Sequence, residues 1–291
     1  MSTDYTLWPV PPHVVRPIVA AAIAEDVGHG DITAAACIPA DLRAEAVVLA
    51  KEPGVVSGLY VAGECFRQLA DDVEWEPLMW EGDEFSRGDV LARVVGNARA
   101  LLAGERVALN FLEHLCGIAS LTREIVRAIE GTSCKLLDTR KTTPGLRALE
   151  KAAVRAGGGT NHRFALYDGF LIKDNHIVAL GCLKRAVDAC RAVAPPTGCI
   201  EVEVQDFDQL YAALEAGADV IMLDNFSLED ARRAVEIIGG RARIEISGGI
   251  TVANAAAYAS LGVDFISSGA ITHSAPSINM SLEFVACNAQ P

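Results

Sequence analysis

The residues able to do chemistry gather in a few short runs of the middle and late chain. They are Asp138-Thr139-Arg140-Lys141, His162-Arg163, Lys173-Asp174-Asn175-His176, the glutamates of "IEVEV" at 201 and 203, and Asp224-Asn225. From Asp138 to Lys173 there are seven Arg or Lys against three Asp or Glu, in a chain whose net charge is −13. Adjacent cations repel, so a local excess of them in an acidic protein points to an anion that must be held. An Arg pair grips carboxylates bidentately and Lys acts as a compact point charge. Arg140, Lys141, Arg163 and Lys173 lie at strand ends or beside turns, where they can do this. Arg147, Lys151 and Arg155 instead follow each other at i, i+4 and i+8, the spacing of a solvated helix face. The three glycines before "TNHR" permit close backbone approach to a ligand; a tight turn with a capping His162 is the competing reading.

The acidic residues oppose these cations. Glu201 and Glu203 share one side of their strand because side chains alternate. A carboxylate on a buried strand is costly unless paired or functional. Two carboxylates facing a cationic cluster can bind Mg²⁺, grip sugar hydroxyls or stabilise developing positive charge; a structural ion pair to Lys141 or Lys173 is compatible with each. Ser247-Gly248-Gly249 and Ser268-Gly269 are Gly-containing turns on consecutive late strands, where backbone N–H groups and helix N-termini bind phosphate.

These residues need a scaffold that brings strand ends together. Apolar β-prone runs recur at "KLLDT", "FLIKDN", "IEVEV", "VIMLDN", "IEISGG" and "DFISSG", with helical stretches between them. That rhythm predicts a parallel sheet of βα units, and in such barrels the active groups gather at the carboxyl ends of the strands. A full barrel has eight strands; the barrel is therefore incomplete, or one strand hides near "GTNHRFALY". Before this region the pattern differs. "PHVVRPIVAAAIAEDVGHGD" has helical spacing ending at Gly28, and short β-like runs follow. "EGDEFSRGDVLARVVG" resembles the strand-turn-strand of a carrier domain, yet there is no lysine between Glu81 and Leu102 to modify. From Ala98 to Glu130 the pattern is helical with a break near Gly117. Arg106, Asn110 and His114 form a polar stripe there, either a solvated edge or an interface from which Arg106 reaches another subunit's anion.

Composition narrows the classes. At 291 residues, half of them hydrophobic, the chain can bury one large α/β domain or one with a smaller companion. The acidic balance argues against generic binding to nucleic acid or anionic membranes. Eight cysteines show no zinc spacing and read as small buried residues in a reducing compartment. The start, "MSTDYTLWPVPPH", has no basic-then-apolar leader, and no uncharged run approaches transmembrane length. A cytoplasmic protein is expected.

"LLDTRKTTPGLRALEKAAVRAGGGTNHRFALYDGFLIKDNH" resembles the signature stretch of the quinolinate phosphoribosyltransferase family. "EDVGHGDIT", "NFLEHLCGIAS", "EVEV", "LDN" and "ISGGI" match further blocks in order, across essentially the whole chain. The resemblance implies an α/β protein: an N-terminal open-sandwich domain over residues 1–115, to which the C-terminal tail can return, and an incomplete (β/α) barrel over 116–291. It implies a homodimer or larger oligomer with shared active sites, quinolinate and phosphoribosyl pyrophosphate as substrates, and Mg²⁺. By matching position it gives Thr139, Arg140, His162, Arg163 and Lys173 to quinolinate, with Arg106 entering from the neighbouring subunit. Lys141, Glu203 and Asp224 would be catalytic around the ribose-pyrophosphate, with Glu203 and Asp224 near Mg²⁺, directly or indirectly. Ser247, Gly248, Gly249, Ser268, Gly269 and His273 would hold the phosphoribosyl group.

Two rival readings remain open on the residues alone. A phosphosugar aldolase or isomerase would use Lys141 or Lys173 as a Schiff base, but leaves the Arg140 and Arg163 pair without a purpose. A non-catalytic anion-binding protein on the same scaffold predicts erosion of the Lys-Asp-Asn-His or Glu-Val-Glu blocks, and both are intact.

Overall fold

The computed structural model describes residues 9–288. Residues 1–8, the first part of the segment read for a leader, lie outside them. The chain forms two compact units. The first runs through Arg123 and takes in Thr143–Gly158 and the chain from Ser274; the second comprises Glu124–Thr142 and Gly159–His273.

In the first unit, α1 (Pro12–Asp26) opens on a proline whose missing N–H would be unsatisfied in the first turn in any case. The next helix, α2 (Ile32–Cys37), is capped by Asp31, whose Oδ1 accepts the N–H groups of Thr33 and Ala34 at 2.9 and 3.0 Å. Strand β1 (Arg43–Ala50) alternates half-exposed and buried residues, the pattern of a sheet covered on one face. β2 (Gly54–Val55), α3 (Leu59–Leu69), β3 (Glu74–Pro77), β4 (Glu84–Phe85), β5 (Val90–Asn97) and α4 (Ala98–Ala128) follow. The main sheet is antiparallel in the order β12-β1-β5-β3, so the last strand, β12 (Met280–Asn288), pairs with the first.

Several sequence expectations meet the structure here. The helix predicted to break at Gly117 is continuous over 31 residues. Gly117 serves close approach instead, because a Cβ would collide with the Pro276 carbonyl. The 115/116 boundary therefore falls inside α4, and α5 (Arg147–Ala156) groups with the first unit. On α5, Lys151 is 2% exposed, so the three cations do not form a solvated face. Of the eight cysteines only Cys65, Cys116 and Cys134 are buried; all are free thiols.

The second unit is built on six parallel strands. They are β6 (Lys135–Leu137), β7 (Phe170–Ile172), β8 (Ile200–Val204), β9 (Val220–Asp224), β10 (Arg243–Ser247) and β11 (Phe265–Ser267). Their order is β6-β11-β10-β9-β8-β7, which leaves β6 and β7 at the ends of an open barrel. All six coincide with the apolar runs read in the sequence. The segment at "GTNHRFALY" contributes only one bridge, Leu137 to Thr160, and no strand. α6 (Asp174–Leu180), α7 (Leu183–Val193), α8 (Phe207–Glu215), α9 (Leu228–Ile238), α10 (Val252–Ala259) and α11 (Ala270–His273) fill the connections. β8 is buried at every position, as expected of a parallel strand covered on both faces. Among the described residues no helix is long and apolar enough to cross a membrane.

Candidate active site

The strands of the second unit present their polar residues at their carboxyl ends. β6 runs through buried Leu136 and Leu137 into Asp138, which is fully shielded from solvent. Such a carboxylate is expensive unless its oxygens are bonded. Oδ1 accepts the His162 backbone N–H at 2.8 Å, and Oδ2 accepts the Asn161 side-chain amide at 2.6 Å. Asp138 therefore ties the segment after the glycines to the end of β6. Thr139 Oγ1 then accepts the Lys141 N–H at 3.0 Å, and Thr272 Oγ1 donates to the Lys141 carbonyl at 2.7 Å. Side chain and backbone together turn the chain so that Arg140 and Lys141 leave it as neighbours.

β7 ends at Lys173, whose Nζ donates to Glu203 Oε2 at 2.5 Å. Glu201 and Glu203 are 7% and 8% exposed. Asp224 closes β9, its Oδ2 accepting the Asn225 side-chain amide at 2.9 Å. Asn225 has φ 59, the one positive φ outside glycine among the described residues. Its amide occupies the space where Gly248 would carry a Cβ, and Gly248 itself has φ 96. That position accepts only glycine, for steric and conformational reasons together. β10 carries Glu245, 1% exposed, and register sets Ser247 beside Asp224.

These ends line a cavity of about 530 Å³. Thr139, Arg140, Lys141, His162, Arg163 and Lys173 contribute one set of lining groups; Glu203, Asp224 and the Ser247–Gly249 turn contribute another. A larger cleft of about 740 Å³ lies at the amino ends of the strands, around Asp219, Arg243 and Asp264. Its charges serve the scaffold: Arg191 pairs with Asp219 at 2.7 Å, and Asp219 caps the Ile200 N–H. In the 530 Å³ cavity Lys173 is paired with Glu203, and Arg163 donates to the Gly169 carbonyl at 2.9 Å. Burial, and then the neighbouring Arg140 guanidinium, lower the pKa of Arg163 from its ordinary value. A guanidinium whose charge is disfavoured by its neighbour gains from an anion beside it.

The remaining expected residues lie off the cavity wall. Ser268 is buried and spends both donors on the fold, its hydroxyl on the Ile250 carbonyl at 3.0 Å and its N–H on the Leu137 carbonyl at 3.1 Å. Its hydroxyl proton is thus spent on the fold. Gly269 lets Lys141 lie close, since a Cβ would come within 2.7 Å of Lys141 Cδ. His273 is exposed at the end of α11. Arg106 belongs to the first unit, its side chain 56% exposed and 3.9 Å from Glu113. The stripe it heads is mixed: His114 meets the buried Glu150 at 2.9 Å, whereas Asn110 is exposed.

Family models for the N-terminal and C-terminal domains of quinolinate phosphoribosyl transferase match residues 31–116 and 118–283. The chain belongs to the quinolinate phosphoribosyltransferase family. It is 44% identical over 264 residues to a probable carboxylating nicotinate-nucleotide pyrophosphorylase of Bacillus subtilis, covering 91% of each chain. The carboxylating nicotinate-nucleotide pyrophosphorylase of Mycobacterium leprae is 42% identical over 274 residues, covering 92% of this chain and 96% of that one. Among solved structures, the nicotinate-nucleotide pyrophosphorylase of Francisella tularensis superposes with a TM-score of 0.88 at 39% identity, over 97% of this chain and all of the other. A Streptococcus pyogenes structure gives 0.90 at 42%, covering 96% and 98%.

The cavity thus sets cations beside carboxylates and a Gly turn. Sequence reading passed over three groups that build it. Asp138 was visible as a strand-end acid but carried no role. Glu245, flanked by isoleucines in "IEIS", signalled a carboxylate buried on a strand. Asn225 before a Gly-Gly turn hinted at left-handed backbone.

Proposed function

We propose that this chain condenses quinolinate with phosphoribosyl pyrophosphate, forming nicotinate mononucleotide, CO₂ and pyrophosphate in de novo NAD biosynthesis. The observation that carries this reading is the convergence of Arg140, Lys141, Arg163 and Lys173 on a cavity also lined by Glu203 and Asp224, in a chain of net charge −13. Quinolinate is a dianion, and Arg140, Arg163 and Lys173, with Thr139, are the groups able to orient its carboxylates. Lys141 and the Ser247–Gly249 turn suit the phosphoribosyl side, where backbone N–H groups can meet phosphate.

The chemistry divides between the two sets. Breaking the bond from C1 of the ribose to pyrophosphate leaves oxocarbenium character, which Glu203 and Asp224 can stabilise. The Lys173 ion pair holds Glu203 in place for this. Lys141 offsets the charge on the departing pyrophosphate. The pyridine nitrogen then bonds to C1 and becomes cationic. That cation accepts the electron pair released when the bond from C2 to its carboxylate breaks, CO₂ leaves, and C2 takes up a proton. The decarboxylation step therefore follows ribosylation.

Glu203 and Asp224 are two oxygen donors on adjacent strands, which suits Mg²⁺ but falls short of its six ligands. Glu203 already engages Lys173, so Asp224 is the carboxylate that would meet the cation, with phosphate oxygens and water completing the set. Mg²⁺ supplies charge neutralisation to the pyrophosphate when bound. The exposed Arg106 suits entry into a second subunit's site in a homodimer, and a cytoplasmic location suits the free thiols.

The test is an assay of purified protein with phosphoribosyl pyrophosphate, Mg²⁺ and either quinolinate or nicotinate. Quinolinate should yield CO₂ and nicotinate mononucleotide in equal amounts. Turnover of nicotinate with none of quinolinate would overturn the substrate assignment. Mixing inactive Arg106→Ala and Lys141→Ala proteins should restore activity in exchanged dimers; no recovery after verified exchange would overturn the shared site.

A further inference from the structure

Arg163 opens a loop over residues 163–169 whose form the proposed reaction does not explain. The loop lies between the segment that Asp138 ties down and the start of β7. Its tip is apolar yet in water: Leu166 is 70% exposed, Tyr167 83% and Phe164 38%. None of these large apolar side chains is buried, so the hydrophobic effect does little to hold the loop. Polar contacts hold it instead. Asp168 Oδ2 accepts the Phe164 N–H at 2.6 Å, and Oδ1 accepts the Ala165 N–H at 2.8 Å. Across the base, Arg163 Nη1 donates to the Gly169 carbonyl at 2.9 Å.

These contacts converge on one side chain. Asp168 and Gly169 are adjacent, so the carboxylate that folds the loop back on Phe164 and Ala165 also sets where the Gly169 carbonyl stands. Residue 169 has to be small. A Cβ there would come within 3.2 Å of Arg163 Cβ and 3.6 Å of its Cδ, so a larger residue displaces the aliphatic stem. A guanidinium has two edges able to grip a carboxylate, Nη1–Nη2 and Nε–Nη2. Spending Nη1 on Gly169 leaves the second edge whole. Among the described residues neither Nε nor Nη2 donates to a protein acceptor, although Arg163 lines the cavity. The charges that act on Arg163 are Arg140, which opposes its own, and Glu201, Asp168 and Glu203, which favour it. Of these acids Asp168 alone belongs to the loop, and it is exposed. An exposed residue whose carboxylate bonds backbone groups of its own turn contributes little to a core.

We propose that Asp168 and Gly169 are positioning residues for Arg163, holding its guanidinium by Nη1 so that the Nε–Nη2 edge meets a substrate carboxylate as a bidentate pair. Asp168 itself touches no substrate; its effect passes through the Gly169 carbonyl to the guanidinium. The competing account is an isolated surface turn, in which an exposed aspartate can be replaced without consequence for the site. The effect on binding rests on the proposed assignment of Arg163 to quinolinate, whereas the fixed guanidinium needs no substrate.

The fixed guanidinium is read from the NMR order parameter of the Arg163 Nε–H in ¹⁵N-arginine-labelled full-length protein without substrate, the signal being identified by its loss in Arg163→Lys. It should lie close to the rigid-backbone value of about 0.85 and fall below about 0.6 in Asp168→Ala. Equal order in the two proteins would overturn the proposal. Binding is read by calorimetric titration of quinolinate. Asp168→Ala and Gly169→Ala should each weaken it about tenfold, with the phosphoribosyl pyrophosphate KM and the melting temperature unchanged. Gly169→Ala keeps both Asp168 bonds and so tests the place of Arg163 in an intact loop; unaltered binding there would overturn the proposal. Asp168→Ala added to Arg163→Ala should weaken binding no further, because the one acts through the other. Additive losses would make Asp168 an independent contributor and overturn the positioning role. If Arg163→Ala left quinolinate binding intact, the substrate assignment would fail, and the order parameters would still decide the positioning.

Discussion

Replacing Asp138 by Asn tests whether the anion site depends on one buried carboxylate that touches no substrate. Asp138 takes a different donor on each oxygen, the His162 N–H at 2.8 Å and the Asn161 amide at 2.6 Å. Asparagine has a single acceptor oxygen. If that oxygen keeps the His162 N–H, its own amide faces the amide of Asn161. One hydrogen bond to a charged acceptor is lost, about 1.5–3 kcal/mol, and a donor left without a partner adds about 1–3 kcal/mol. The expected cost is about 3–5 kcal/mol, a large share of a typical domain's stability. Trp75 and Trp80 belong to the first unit, so fluorescence would miss the effect and calorimetry of the second unit's transition is the proper assay. The exchange variant Asp138→Asn/Asn161→Asp restores an acceptor opposite the new amide and should recover at least about 2 kcal/mol of the loss, with the quinolinate KM falling back alongside. A loss below about 1 kcal/mol in the single variant would refute the argument. So would a double variant no better than the sum of the singles.

Gly248→Ala should raise the phosphoribosyl pyrophosphate KM about tenfold or more, since φ 96 and the Asn225 amide both exclude a Cβ; an unchanged KM would show that the turn does not contact phosphate. Lys173→Met leaves Glu203 buried without its cation and should cost about 1–2 kcal/mol, discounted because Lys173 is 41% exposed. Adding Glu203→Gln should return the melting temperature but not kcat, and recovery of both would remove Glu203 from the chemistry. Glu81 accepts the Gly58 and Leu59 N–H groups at 3.0 and 3.1 Å, yet burial wins over those bonds and lifts its carboxyl from 4.5 to about 7. A raised carboxyl stabilises the fold fully below pH 4.5 and loses that contribution as pH rises through about 7. The first unit should therefore weaken between pH 5 and pH 8 by up to about 3 kcal/mol, measured by urea unfolding on Trp75 and Trp80 fluorescence. Glu81→Gln should flatten that slope; an equal slope in the variant would remove Glu81 as its cause.

The second unit was more legible in the sequence than the first because of how each is covered. A parallel strand buried on both faces reads as a continuous apolar run, and the six runs from "KLLDT" to "DFISSG" correspond to the six strands. The strand ends were equally plain, since Arg140, Lys173, Glu203 and Asp224 interrupt such runs with charge. In the first unit the sheet is antiparallel and its pairing is distant in sequence. Nothing local to Met280–Asn288 announces that it lies against Arg43–Ala50. Gly117 was misread for a related reason. A glycine inside a helix signals a break from sequence alone, whereas its actual reason, the Pro276 carbonyl, comes from far along the chain.

The same distinction separates what a residue's type suggests from the contacts the residue makes. Residue type reveals a group suited to a ligand, because two guanidiniums brought together repel each other. It conceals a group that serves another residue. Ser268 has the composition of a phosphate ligand, but its hydroxyl and N–H close bonds to Ile250 and Leu137. His162 sits beside Arg163 in the chain and suggests a second cation for the same anion. Its ring nitrogens meet the Arg163 backbone N–H and Glu201 while the residue lines the cavity. Glu201 and Glu203 are two residues apart on one side of β8, equally buried, and indistinguishable by pattern. What separates them is their partner: Lys173 meets Glu203 at 2.5 Å, while His162 meets Glu201 at 3.0 Å. One strand thus carries two carboxylates with different partners, a division set by tertiary contacts and not by anything within "IEVEV".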